Sequence, residues 1–328
     1  MSRVFVTSRS FSSGDVDLVQ RLADAGHDVV RGPADHDLSR LTPQLADAAA
    51  WIAGTASVTA AHLELAPQLR VLARYGVGYD AVDIAAAAAA GVVVTNTPGA
   101  NSSAVADHAV ALMLAALRHV SAGDRAVRSG DWSARRGREL GSQTVGIVGF
   151  GRIGRLVAQR LVGFGSPVVV DDPWVPDDVV AAAGATRAVG RDLARQCEVV
   201  TVHRPGGGVV VDADWLLAAR TGMTVVNTAR ADLVDELAVA AALRTGVVGA
   251  YAADTLTGDV AGQTGHQSPL LAPDLADRVV VTPHLGAQTV EAIDAMGSMA
   301  VNDVIAVLSG LPPVHAVPLP GHALNPLE

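Results

Sequence analysis

Few sequence features constrain a fold as tightly as the glycine pattern Gly149-Phe-Gly-Arg-Ile-Gly154, which stands between an apolar run and a helical pattern. The run Val145–Val148 has the length of a buried strand. After the glycines, Ile153, Leu156, Val157, Leu161 and Phe164 recur about one turn apart. Strand, glycine turn and helix in this order are the context in which GxGxxG cradles a dinucleotide. Gly149 permits the tight turn, Gly151 lets a pyrophosphate approach the backbone, and Gly154 lets helix and strand pack closely. The helix start, with Arg152 and Ile153 in its first turn, offers unpaired N–H groups and partial positive charge to phosphates. A glycine turn of this kind also occurs in βαβ units that bind nothing. The next apolar run, Pro167–Val170, bears on that choice. It leads to Asp171 and Asp172, and Asp172 lies 23 positions after Gly149, close to the ~20 expected of an acid that holds the adenosine ribose hydroxyls. A carboxylate there favours NAD and repels a 2′-phosphate.

The rest of the chain fits two α/β domains. At 328 residues it is long for one. The formal charge of −9 argues against nucleic acid or an anionic membrane as the main partner. No signal peptide or long apolar span is evident, so a cytoplasmic, soluble protein is expected. No lysine occurs; all 24 basic residues are arginine. Schiff-base chemistry, a Walker lysine and a Tyr/Lys reductase pair are thereby excluded. No metal site is expected.

Before the fingerprint, strands are expected at Arg3–Ser8, His27–Val30, Trp51–Ala53, Leu69–Ala73 and Gly91–Val94. Helices are expected at Ser13–Ala25, Pro43–Ala50, Thr59–Leu65 and around Ala85–Ala90. This alternation describes a small parallel-sheet domain. The segment Arg74-Tyr75-Gly76-Val77-Gly78 ends one of its strands, where open α/β sheets bind ligands. Its bare N–H groups could hold a carboxylate; a plain turn into the next helix is the alternative. The long helix Ser103–His119 fits a connector, with His108 and His119 structural or solvated. A polar, arginine-rich stretch, Asp124–Glu139, then leads into the fingerprint strand.

After Asp172, strands at Glu198–Val202, Met223–Asn227, Val247–Ala252 and Val279–Val281 end in His203, in Thr228-Ala229-Arg230, in Asp254 and in Thr282-Pro283-His284. These residues should share one rim of the sheet with the glycine turn. An arginine, a carboxylate and a histidine converging on one rim point to chemistry there.

Together the blocks RYGVGYDAVD, VTNTPGANSSAVADHA, TVGIVGFGRIG, DDPWVP, VVNTARADLVDE and TPHLGAQT resemble the D-isomer-specific 2-hydroxyacid dehydrogenase family over nearly the whole chain. The resemblance implies two Rossmann-like domains with parallel sheets. Residues 1–98 and 290–328 would form a discontinuous substrate domain, and residues 99–289 a central NAD-binding domain, with hinges near Pro98 and Gly286. It implies a homodimer, and interconversion of a small anionic 2-oxo acid and a D-2-hydroxy acid by hydride transfer with NAD. Arg230 would hold the substrate carboxylate and polarise the oxo group, and His284 would be the general acid/base. Asp259 would stand where the family has a glutamate beside the histidine. Arg74, Tyr75, Gly76, Val77 and Gly78 would bind substrate. Gly149, Gly151, Arg152, Ile153, Gly154, Asp172, His203, Thr228, Ala229, Asp254 and Gly286 would bind the cofactor, Asp254 through the nicotinamide carboxamide.

Some positions depart from the family pattern. Aspartate at 259 is one methylene shorter than glutamate, and Arg204 replaces an apolar residue, as a surface residue or an added anion contact. The loop Ala53–Ser57 lacks the arginine that phosphoglycerate-type members often carry. A weakened NAD(H) sensor or corepressor-like scaffold, or an enzyme oxidising a different hydrogen donor, are the competing readings.

Overall fold

Short apolar runs become the strands of two parallel sheets, and most of their side chains are buried, as sheets covered by helices on both faces require. The computed structural model describes residues 1–258 and 268–319. These divide into two units, one of residues 1–104 and 287–319, the other of residues 105–258 and 268–286. The α/β class expected from the sequence is the observed one.

The first unit holds β1 (Ser2–Val6), β2 (His27–Arg31), β3 (Ala48–Ala53), β4 (Val71–Arg74) and β5 (Val93–Thr95). Their order is β2-β1-β3-β4-β5, all parallel. Leu18 and Leu22 of one helix and Met296, Val301 and Val304 of another pack on one side. Leu41, Leu45, Leu63 and Ala87 pack on the other. The helix expected at Pro43–Ala50 lies instead at Leu38–Leu45, started by the Asp37 carboxylate, which accepts from the Ser39 amide at 2.9 Å. Ala48–Ala50 belong to β3 despite alanine's helix propensity, because a buried central strand needs small apolar side chains there. The helix expected from Ser13 starts only at Leu18. The amides of Asp15 and Val16 donate to the Asp294 carboxylate at 2.9 and 3.1 Å, which holds that stretch outside a helix. Beyond the helix Val290–Leu308 the chain returns to β5. Ala316 bridges Thr95 in antiparallel sense, and the Val317 amide donates to the Val94 carbonyl at 2.8 Å. Buried Asp303 fixes the return by accepting from the Val314 amide at 2.9 Å and lying 3.0 Å from His315 Nδ1.

The second unit holds β6 (Val145–Val148), β7 (Val168–Asp171), β8 (Thr186–Arg187), β9 (Val199–Val202), β10 (Met223–Asn227), β11 (Val248–Ala253) and β12 (Val279–Val281). The order is β12-β11-β10-β9-β6-β7-β8. The direction of winding therefore reverses between β6 and β9, which creates a topological switch point where such sheets bind ligands. The strand β8 and the helix Val120–Arg128 were not legible in the sequence. The helix is mostly polar, is separated from its predecessor by His119 at φ 54°, and carries an Asp124–Arg128 pair at 2.9 Å.

Candidate active site

At the switch point, the turn after β6 is shaped by its glycines. Gly149 has φ +94°, and a Cβ on it would lie 2.7 Å from the His203 carbonyl oxygen. A side chain there would collide with the turn after β9. A Cβ on Gly154 would lie 2.2 Å from the Gly149 carbonyl oxygen, so strand, turn and helix approach as closely as backbone allows. Gly151 differs: nothing lies within 4 Å of where its Cβ would be. That open face is the approach a pyrophosphate needs, at the start of the helix Arg152–Phe164 whose first amides, including those of Arg152 and Ile153, lack intrahelical acceptors. Asp172 closes the other side. Its carboxylate accepts from the Phe150 amide at 2.7 Å and the Trp174 amide at 2.9 Å.

Along the rim, the buried polar atoms His203 Nδ1, Thr228 Oγ1 and Thr255 Oγ1 have no partner among the described residues. The His203 Nε2 lies 2.8 Å from Thr201 Oγ1, and burial pushes the imidazole down to about 3, so it is neutral at pH 7. Unsatisfied buried groups of this kind are expected where a polar ligand completes the site. With the open glycine turn, they make the rim fit a dinucleotide.

Arg230 is aimed by a residue that the sequence reading passed over. Asn227, fully buried at the end of β10, accepts from the Ala229 amide at 3.0 Å and donates to the Arg230 carbonyl at 2.7 Å. This Asx-type turn was signalled by an asparagine ending a strand. It sets the backbone of Thr228, Ala229 and Arg230. The half-buried Arg230 donates to the Ala229 carbonyl at 3.0 Å.

Asp254 directly follows β11 and is 3% exposed. Its carboxylate accepts from the Thr282 hydroxyl at 2.5 Å and from the amides of Leu285 and Gly286, each at 2.7 Å. Burial alone would raise its pKa; these donors and His108 outweigh that and hold it below the ordinary carboxylate range. Four acceptor positions exist on a carboxylate. One on Oδ2 therefore remains for a further donor such as a carboxamide. His284, beyond Thr282, is exposed and has φ +56°. Asp259 lies outside the described residues. The chain on either side of that segment is tied to Glu236, which accepts from the Thr257 amide and the Ser268 hydroxyl, each at 2.6 Å. Glu236 was not anticipated from the sequence.

In the first unit, the loop after β4 presents amides and hides carbonyls. The Gly76 carbonyl accepts from the Thr97 amide at 3.1 Å, the Val77 carbonyl from Asn96 Nδ2 at 2.8 Å, and the Gly78 carbonyl from Arg74 Nε at 3.1 Å. With the carbonyls held, the amides of Val77 and Gly78 have no acceptor among the described residues. Two residues expected to contact substrate are engaged by hydrogen bonds within the first unit. Arg74 is 5% exposed, and its guanidinium donates to the carbonyls of Gly54, Thr55 and Ala56. It braces two loops and does not offer a free charge. Tyr75, on the opposite face of the strand end, donates its hydroxyl to the Ile293 carbonyl at 2.8 Å and packs its ring against Phe11. It is a core residue.

A reversed parallel sheet with a glycine turn and an acid at its switch point defines a dinucleotide-binding α/β protein. Comparison with known proteins narrows the class. The family model described as "D-isomer specific 2-hydroxyacid dehydrogenase, NAD binding domain" matches residues 110–286. The D-3-phosphoglycerate dehydrogenase of Mycobacterium tuberculosis is 40% identical over 301 residues, covering 90% of this chain and 55% of that protein. The glyoxylate reductase of Pyrococcus furiosus is 34% identical over 265 residues, 76% of each chain. A solved structure of a Thermus thermophilus protein superposes with a TM-score of 0.85 at 31% identity, covering 96% of this chain and all of that one. The chain spans about half the length of the phosphoglycerate dehydrogenases it matches. It belongs to the D-isomer-specific 2-hydroxyacid dehydrogenase family, and its NAD-binding region is the second unit's sheet with the helices around it.

Proposed function

We propose that this protein is an NAD(H)-dependent oxidoreductase that interconverts a small 2-oxo acid and the corresponding D-2-hydroxy acid. The observation that carries the reading is the rim of the second sheet, where Arg230 and His284 follow strand ends in the same series as the glycine turn. The amides of Val77 and Gly78 bind the substrate carboxylate, as paired N–H groups bind anions. Arg230 polarises the 2-oxo group, its planar fork suited to oxygen recognition. NADH, held along this rim by the glycine turn and Asp172, would supply the hydride to C2. His284 then gives its proton to the forming alkoxide, and takes it back in the oxidation direction. Asp259 pairs with the imidazole in this reading. Residues 1–98 and 290–328 serve as the substrate domain and residues 99–289 as the NAD-binding domain.

The protein is further proposed to be cytoplasmic and homodimeric. Among the described residues no helix is long and apolar enough to cross a membrane. Trp132, at 82% exposure, and the half-exposed Val120 and Val127 give the second unit apolar surface for a second copy. Light scattering at graded concentrations measures that state; a monomer throughout would remove the dimer.

Steady-state assays with NADH and a panel of 2-oxo acids test the activity. Arg230→Ala and His284→Ala are each expected to lower kcat by about 100-fold or more, with NADH still bound. Near-normal turnover in both variants would sink the reading. Tight NADH binding with no turnover on any 2-oxo acid would replace it with a cofactor-sensing role.

A further inference from the structure

His284 holds a backbone conformation that its surroundings must impose. Its φ of +56° lies in the left-handed region, which disfavours residues with a Cβ. Such outliers persist only where neighbouring contacts over-determine them. Here the contacts converge on Asp254. The His284 amide donates to the carbonyls of Asp254 and Thr282 at 3.1 and 3.0 Å. The next two amides, of Leu285 and Gly286, donate to the two carboxylate oxygens of Asp254. The turn bearing the imidazole is thus wrapped around one buried carboxylate.

That carboxylate is held in turn. The Thr282 hydroxyl donates to Asp254 Oδ1 at 2.5 Å, which uses its only proton. Thr282 Oγ1 also lies 2.9 Å from His108 Nε2. With the hydroxyl proton committed to Asp254, the imidazole must be the donor in that contact. His108 Nε2 is 3.4 Å from Asp254 Oδ1 as well. Donation thus runs from His108 through Thr282 to Asp254, and the amides of Leu285 and Gly286, just after His284, donate to the same carboxylate.

We propose that His108 and Thr282 are positioning residues for proton transfer, fixing through Asp254 the left-handed turn that aims the His284 imidazole. The proposal rests on the reading of His284 as the proton donor. It gives His108 a task that its place on an apolar helix had not suggested.

The test compares Thr282→Val, Thr282→Ser and His108→Phe in the full-length protein. Measured are kcat and KM at saturating NADH, NADH affinity by fluorescence, and amide hydrogen exchange over residues 283–287. A displacement of the imidazole by about 1 Å costs about 100-fold in rate. Thr282→Val and His108→Phe should therefore lower kcat about 10- to 100-fold, with NADH affinity falling far less than kcat. Thr282→Ser keeps the hydroxyl and should restore kcat. Exchange over residues 283–287 should quicken in Thr282→Val and stay slow in Thr282→Ser. Wild-type kcat in both Thr282→Val and His108→Phe overturns the proposal, as does an equal loss in Thr282→Ser. Unchanged exchange in Thr282→Val removes the claim that the chain holds this turn. Full turnover by His284→Ala is a different failure: it removes the reading of His284 itself, and with it any catalytic meaning of the clamp.

Discussion

The Asp172 carboxylate accepts a hydrogen bond from the Phe150 amide at 2.7 Å, so the acid that follows β7 is tied to the glycine turn that follows β6. One side chain thereby links the glycine turn to the position proposed to hold the adenosine ribose. Asp172→Ala removes a charged acceptor for the ribose hydroxyls and loosens the turn. Hydrogen bonds to charged groups contribute about 1.5–3 kcal/mol, so NADH affinity should fall about 10- to 100-fold, while NADPH affinity falls less or rises. Fluorescence titration with both cofactors measures this. Equal affinity of the wild type for the two would contradict the assignment.

Gly151 and Gly154 should separate binding from folding. Gly154→Ala places a Cβ 2.2 Å from a backbone oxygen that cannot move away cheaply. Overpacking of this kind costs about 1–3 kcal/mol, visible as a lower denaturant midpoint. Gly151→Ala meets nothing and should leave that midpoint unchanged while weakening NADH binding, because the added methyl occupies the phosphate approach. The reverse pattern in the two variants would show the turn to be misassigned.

Arg74 offers a test of brace against charge. If its guanidinium holds the carbonyls of residues 54–56 and of Gly78, lysine cannot replace it, since one ammonium cannot span that fork. Arg74→Lys should then raise KM for the 2-oxo acid about tenfold or more, as Arg74→Gln does. Recovery of wild-type KM in Arg74→Lys would mean that the charge itself meets the substrate.

His36 should make stability depend on pH. It is 4% exposed, and its Nδ1 lies 3.0 Å from the Ser57 carbonyl, so Nδ1 carries the proton. Nε2 then accepts from the Thr7 hydroxyl at 2.7 Å, which itself accepts from Trp51 Nε1 at 2.9 Å. The neutral ring satisfies every partner. Burial, the largest influence, lowers its pKa to about 4. The unfolded chain therefore takes up the proton first as pH falls below about 6.5, and stability is lost between about pH 6.5 and 4. The loss approaches about 3 kcal/mol at pH 4. His36→Asn tolerates the left-handed backbone at this position, φ 56°, and does not titrate. Urea midpoints at pH 7 and pH 4.5 should converge in that variant relative to the wild type; an identical shift in both would dismiss the role of His36.

Much of the fold was legible because its signals are local. Apolar runs with glycine or proline at their ends mark strands, and the end of a parallel strand marks the rim where Arg230, Asp254 and His284 stand. Where local and long-range physics disagree, the sequence misleads. Ala48–Ala50 read as helix by propensity, yet burial in β3 decides their conformation. Arg74 reads as a free charge until the carbonyls of residues 54–56 are seen to enclose it. His108 and Thr282 are 174 positions apart, and no periodicity on either segment announces that they meet. Asn227 is the exception, since an asparagine closing a strand is itself a turn signal.

The return of the chain at Ala316 and Val317 bears on how this protein tolerates being cut. Without it, β5 would be an open margin with the Val94 carbonyl and Asn96 amide unpaired, the kind of edge that recruits a strand from another molecule. Trimming the tail before His315 should thus produce aggregation, seen as light scattering that grows with concentration, while fusion partners attached after Val317 leave the margin closed.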